Sequence, residues 1–191
     1  MSMFKKPSEL AYNSTIKALV YGQPGLGKTT VALSTPNPVL FDFDGGVQRV
    51  NGAFQCPTLQ VQSWDEVLQA LQELETGAND FKTIVIDTAG KMLDFMSTYI
   101  IKQDSRMGMR DGSLSLKGYG ARKMMFINFL KRVTMMGKHV IFVAHEREEK
   151  DGDLRIVRPE IGGSSQGDLI KELDLVGYMQ AIGNEIGRAH V

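Results

Sequence analysis

The sequence predicts an α/β domain, a three-layer sandwich with a mainly parallel sheet. Three observations carry that prediction. Four short runs, KALVYG (17–22), PVLFDFD (38–44), KTIVIDT (82–88) and HVIFVAH (139–145), are nearly continuous in apolar or β-branched residues, as strands are when both faces of a sheet are covered. Helical patterns lie between them, and alternation of strand with helix is the pattern of parallel crossovers. A glycine-rich turn joins the first run directly to a helix.

The elements follow in order. Residues 1–15 read as an N-terminal extension and 16–191 as a single domain without internal repeats. A helix opens over 28–34, straight from the glycine turn. TLQVQ (58–62) is a fifth, weaker strand. In SWDEVLQALQELETG (63–77), Ser63 and Glu66 form a capping box, Val67, Leu68, Leu71 and Leu74 share one face, and Gly77 ends the helix. AGKMLDFMSTYIIKQ (89–103) and YGARKMMFINFLKRVTMMG (119–137) are two further helices. Met124, Met125, Met135 and Met136 read as gap-filling core of a buried helix in preference to an adaptable surface. DSRMGMRDGSLSLKG (104–118) has no periodicity and is long for a structureless connection, so a functional or mobile loop is expected there. Residues 146–168 contain a turn at Asp151-Gly152, a short strand at LRIV and a second glycine-rich stretch.

Composition narrows the function classes. Apolar residues make up 42% and charged residues 23% of the 191, which is ordinary for a globular chain. The formal net charge is zero, so any attraction for nucleic acid must come from local patches. The single cysteine, Cys56, cannot form an internal disulfide; it reads as a packing residue in a reducing setting. No apolar run approaches the roughly 18 residues of a membrane span, and MSMFKKPSELAYNST lacks the apolar centre of a signal peptide. A cytoplasmic protein with no membrane partner is expected.

The chemistry starts at GQPGLGKT (22–29), which matches G-x-x-x-x-G-K-[ST], the P-loop. Glycines allow conformations that a Cβ forbids, so successive N–H groups turn inward toward phosphate oxygens. The candidate nucleotide-binding residues are Gly22, Gln23, Pro24, Gly25, Leu26, Gly27, Lys28, Thr29 and Thr30, with Lys28 reaching the β- and γ-phosphates of ATP and the Thr29 hydroxyl on Mg²⁺. TIVIDT supplies the second metal residue, Asp87, at the C-terminal end of a strand, where ligands of open α/β sheets gather. A plain helix cap is the competing reading of Asp87.

Hydrolysis also needs a group that orients the attacking water. Thr88 stands directly after Asp87, where many P-loop ATPases carry Glu, so the base must come from elsewhere. Alternation puts Asp42 and Asp44 of VLFDFDGG on one face, and Asp44 lies nearer the ligand edge. Asp44 is the candidate base; the competing reading is a simple turn with Gly45-Gly46. The fourth strand ends in His145-Glu146, either of which is placed to sense the γ-phosphate or to be an ordinary surface residue.

The order of YGQPGLGKTT, VLFDFDGG, TIVIDT, Tyr119-Gly120 and IFVAHE resembles the RecA-type recombinase ATPase core, in particular the small phage nucleotide-binding proteins with an AAA domain. The resemblance covers roughly residues 16 to 180. It implies an Mg²⁺-dependent ATPase working on single-stranded DNA in recombination or annealing, as a ring or filament of identical subunits. It puts a catalytic acid, usually Glu, at the place of Asp44. It also implies DNA contacts from the loops 104–118 and 147–168.

The first of these loops is locally basic. Lys102, Arg106, Arg110, Lys117, Arg122 and Lys123 face only Asp104 and Asp111 across 102–123. Arg106, Arg110, Lys117, Arg122 and Lys123 are the candidate DNA contacts, with a solvated loop and helix face as the competing reading. In the second loop acids outnumber bases, and stacking aromatics are sparse, with Tyr119 the nearest. Arg155, Arg158 and Lys171 are candidates for a residue that acts across a subunit boundary. Against the resemblance, neither an added N-terminal domain nor a Phe-x-x-Ala tether near the start is expected from these residues. The sequence also stops at GNEIGRAHV, soon after LDLVGYM, so the closing strands are expected to be missing or the C-terminus incomplete. A small-molecule kinase, with Asp42 and Asp44 on substrate and metal, and a non-catalytic nucleotide-dependent assembly module are the alternatives.

Overall fold

The computed structural model describes residues 4, 6, 14–77, 79–152, 154–182 and 185–190. Its sheet runs in the order β3 (Thr58–Gln60), β2 (Pro38–Asp42), β4 (Thr83–Asp87), β5 (His139–Asp151), β1 (Lys17–Gly22), β7 (Leu175–Ile182), β8 (Glu185–His190). Every pairing from β3 to β7 is parallel, and β8 returns antiparallel to β7. The expected α/β sandwich is therefore observed, with β1 inside the sheet and the glycine turn at its C-terminal edge. Ile84, Val85 and Ile86 of β4 are fully buried, which is why that run carries no polar alternation.

The two faces of the sheet are covered unequally. Helices α2 (Trp64–Glu75), α3 (Ala89–Gln103) and α4 (Leu116–Met135) pack on one side. There Leu19, Phe41, Ile86 and Phe142 of the strands meet Leu71, Met96, Phe126 and Phe129 of the helices. Edge and tilted aromatic pairs join this layer, Phe43 to Phe95 with centroids 5.5 Å apart and Trp64 to Phe129 at 5.7 Å. The short α5 (Ser165–Ile170) adds Leu169 to the same cluster. On the opposite side α1 (Lys28–Leu33) and the turn after β2 suffice, with Ala32, Leu33 and Val50 against Leu40, Val85 and Val143. Among the described residues no helix is long and apolar enough to cross a membrane.

Several local readings change. Ser63 caps α2 by accepting from the Glu66 N–H, but Glu66 Oε2 reaches back to the N–H of Gln62, at 2.9 Å, one residue before the cap. Gly77 ends the helix in the left-handed region, φ 72, as expected. Phe126, Phe129, Leu130 and Val133 make the buried stripe of α4; Met125 and Met136 pack partly buried against that core, as expected, whereas Met124 and Met135 are exposed. The segment 104–118 is ordered. A turn of 3₁₀-helix spans Ser105–Met107, Gly108 bridges Leu114, and α4 starts at Leu116 behind a Ser115 cap that accepts from Gly118 N–H at 3.2 Å.

Gly118 makes that closure possible. A Cβ there would stand 2.3 Å from the Met107 carbonyl oxygen, a backbone atom that cannot swing away. Gly118→Ala should cost about 2 kcal/mol through overpacking, lowering the melting temperature by roughly 4–8 °C. An unchanged melting curve would mean that the 104–115 segment sits off the helix in solution.

After His145 the expected turn at Asp151-Gly152 and strand at LRIV are observed, and the charged stretch before the turn is strand as well. β5 continues to Asp151 and pairs antiparallel with β6 (Leu154–Pro159), forming a hairpin beyond the sheet edge. Arg155 pairs with Glu148, Arg147 with Glu149, and Arg158 Nε lies 3.1 Å from Glu149 Oε2. Two cross-strand ion pairs and one along β5, not apolar burial, dress this ribbon. LDLVGYM contributes β7, which extends the sheet beyond β1, and a further strand, β8, follows it antiparallel, against the expectation that closing strands are missing.

Candidate functional site

Three turns at the C-terminal edge of the sheet build the site. The first is the glycine turn between β1 and α1. Gly22 has φ 155, and a Cβ on it would meet the Met179 carbonyl oxygen of β7 at 2.2 Å. Gly25 and Gly27 lie in open space at φ 83 and 82, so there the backbone conformation alone demands glycine. Lys28 is 5% exposed, and its Nζ donates to the Gln23 carbonyl at 2.7 Å. Burial lowers the Lys28 pKa, and the carboxylates of Asp87, Glu146 and Asp44 oppose that shift.

The second turn follows β4. Thr88 Oγ1 caps α3 by accepting from the Lys91 N–H, which removes the capping reading of Asp87. The Asp87–Thr88 peptide is cis. Asp87 Oδ2 accepts from Thr29 Oγ1 at 2.6 Å. Burial raises the Asp87 pKa; the Thr29 hydrogen bond lowers it, the neighbouring Asp42 and Asp44 raise it, and His145 lowers it.

The third turn follows β2, and its organiser is Asp42. This buried carboxylate accepts from the N–H groups of Asp44 at 3.2 Å, Gly46 at 3.1 Å and Val47 at 3.2 Å. Charge-assisted bonds to backbone are among the stronger ones, so Asp42 fixes the path of residues 43–47. Asp44 is thereby turned into the cleft. Its Oδ2 lies 4.0 Å from His145 Nε2 and 4.0 Å from Arg49 Nη2.

Lys28, Thr29, Asp44, Arg49, Asp87 and His145 line one cleft of ≈ 590 Å³, within the range of about 300–1,000 Å³ usual for small-molecule sites. The P-loop residues Pro24, Gly25, Gly27 and Thr30 line it too. Glu146 does not line this cleft, although its charge reaches Lys28. Strand alternation puts it with Ala144 on the face of the large helical layer, where burial and a hydrogen bond with Glu146 raise the Tyr178 hydroxyl pKa. His145, not Glu146, therefore faces the cleft. Arg49 is absent from the sequence-based reading. Its only sequence signal is a cation five positions after Asp44, and the fold-back that brings it to the cleft depends on the Asp42 turn.

The residues fit a magnesium nucleotide. Among the described residues no group of three or more His, Cys, Asp or Glu side chains could hold a metal alone. Mg²⁺ at phosphates takes only one or two protein ligands, with phosphate and water completing the shell, so the contacting Thr29–Asp87 pair is a donor set of the right size.

The sequence matches the family described as AAA domain over residues 14–190. The chain belongs to that family. The AAA-domain protein is similar in fold to the RadB recombinase, with 14% identity, 86% of this chain and 74% of the other covered, and a TM-score of 0.48. It is likewise similar to a KaiC-like protein from Pyrococcus horikoshii OT3, with 14% identity, 90% and 74% covered, and a TM-score of 0.49. No curated protein matches the sequence. The mainly parallel α/β core expected from the motifs, with the P-loop turn between β1 and α1, is the core of this AAA-domain protein.

The basic residues of the AAA-domain protein divide into engaged and free. Arg106 forms a fork with Asp104, at 2.9 Å from Nη2 to Oδ2. Arg122 donates to Ser97 Oγ at 3.2 Å and lies 5.0 Å over the Tyr119 ring, bracing α3 against α4. Lys123 pairs with Asp168 at 3.5 Å. Arg110 and Lys117 make no ion pair among the described residues. Of the residues considered for action across a subunit boundary, Arg155 and Arg158 are paired within the hairpin, and Lys171 stands 3.9 Å from Asp168.

Proposed function

We propose that the protein is an Mg²⁺-dependent, RecA-like ATPase that acts on single-stranded DNA, in recombination or annealing, as a homo-oligomer. The observation that carries the ATPase part is the convergence of three turns on one cleft, with Lys28, the Thr29–Asp87 pair and Asp44 together. Lys28 and the backbone N–H groups of residues 25–29 bind the phosphates. Thr29 and Asp87 hold Mg²⁺, which neutralises charge on the phosphate oxygens. Asp44 accepts a proton from the water that attacks the γ-phosphorus as the bond to the bridging oxygen of ADP breaks. His145, with Nε2 4.0 Å from Asp44 Oδ2, stands in the same cleft, where it senses the γ-phosphate.

The DNA part is supported by Arg110 and Lys117, exposed cations close in sequence to the glycines of the 108–118 turn. The self-paired hairpin offers fewer free cations. The direct test is steady-state ADP release from Mg-ATP with and without single-stranded DNA, with the Lys28→Ala variant as blank. Stimulation by DNA supports the proposal. Turnover raised by a small acceptor and indifferent to DNA points to a phosphotransferase, and ATP binding without turnover points to an assembly module. Replacing Arg110 and Lys117 with glutamine should weaken DNA binding and flatten its dependence on salt by about two counterions. An unchanged salt slope would remove this patch from the DNA path.

A further inference from the structure

Arg49 lies in the cleft without a task in the mechanism above. Its guanidinium sits 4.0 Å from Asp44 Oδ2, and its side chain is 75% exposed. An ion pair so long and so wet contributes little to stability, so the contact does not explain the arrangement. The backbone does more. The Asp42 carboxylate holds the N–H groups of Gly46 and Val47, and Arg49 N–H closes the 3₁₀ turn onto the Gly46 carbonyl at 3.0 Å. Gly46 has an ordinary φ of −90, so backbone conformation does not demand glycine there. A Cβ on it would stand 3.0 Å from Arg49 Nη2, so the bare Cα leaves the guanidinium room to fold over the turn toward the cleft.

A guanidinium stays charged at any working pH, and its planar donors match phosphate oxygens. A terminal phosphate carries more charge than one carboxylate and competes for those donors. We propose that Arg49 is a phosphate-binding residue supplied by the same chain, which exchanges Asp44 for the terminal phosphate when a nucleoside triphosphate binds. Binding then does two things. Arg49 recognises the group that distinguishes triphosphate from diphosphate, and Asp44, left with His145 alone, is released to receive the proton of the attacking water. This inference rests on the nucleotide site proposed above.

The test compares Mg-ATP and Mg-ADP affinities by calorimetric titration for the wild type, Arg49→Ala, Arg49→Lys and Lys28→Ala. Arg49→Ala should lose about tenfold in ATP affinity while ADP affinity stays within about twofold, and Arg49→Lys should recover part of the ATP loss. If Lys28→Ala is impaired but Arg49→Ala keeps the wild-type ratio of ATP to ADP affinity, the site stands and the Arg49 role is overturned. Equal weakening of both nucleotides in Arg49→Ala overturns it as well. Wild-type binding by Lys28→Ala overturns the site reading, and the Arg49 proposal with it.

Discussion

Replacing Lys28 with alanine will lower the affinity for Mg-ATP by about 100- to 10,000-fold. A charge-assisted hydrogen bond contributes on the order of 1.5–3 kcal/mol. Lys28 is placed to make such bonds to two phosphates, and each 1.4 kcal/mol is about tenfold in affinity. The variant should remain folded, because burial disfavours the ammonium that the substitution removes, and the Gln23 carbonyl released by the change lies on an exposed residue. Calorimetric titration, with a melting curve alongside, checks both points. A folded variant with wild-type affinity would show that phosphate is bound elsewhere.

Asp44→Asn is expected to leave nucleotide binding intact and to reduce turnover by about 100-fold or more, the usual range for loss of a general base. The turn itself should survive, because the Asp42 carboxylate, not that of Asp44, accepts from the N–H groups of residues 44, 46 and 47. ATP affinity should hold or rise, since a negative charge leaves the neighbourhood of the phosphates. Single-turnover measurement at saturating ATP separates this loss from weakened binding. Wild-type turnover would move the base to another group in the cleft, with His145 the nearest.

The parts of this structure that were legible in the sequence are those where one local cause dominates. Strands β1, β2, β4 and the inner half of β5 are buried on both faces, so their composition alone marks them. The glycine turn was legible because its backbone admits few residues. The start of α4 was not: Ser115 caps it without an acidic partner, and Leu116 is 90% exposed, so no periodicity announces the first turn. The outer half of β5 reads as a charged loop because its strand state depends on partners in β6, an interaction between segments that composition cannot carry. At the site, Lys28, Thr29 and Asp87 follow from motif spacing. The contact between Asp44 and Arg49 depends on a buried carboxylate, Asp42, whose sequence neighbours give no sign of its three backbone partners.

The single strand that runs from the core through His145 to Asp151 has a mechanical consequence. Below His145 it is wedged between β4 and β1, and at His145 its carbonyl is gripped by the Glu160 N–H at 2.7 Å. Above that point its only strand partner among the described residues is β6. At about 3.3 Å per residue, the six residues beyond His145 make an arm of roughly 20 Å. A tilt of about 5° at the fulcrum sweeps its tip through nearly 2 Å, so a displacement too small to disturb the packed core becomes, at the far end of the arm, the width of a hydrogen bond gained or lost.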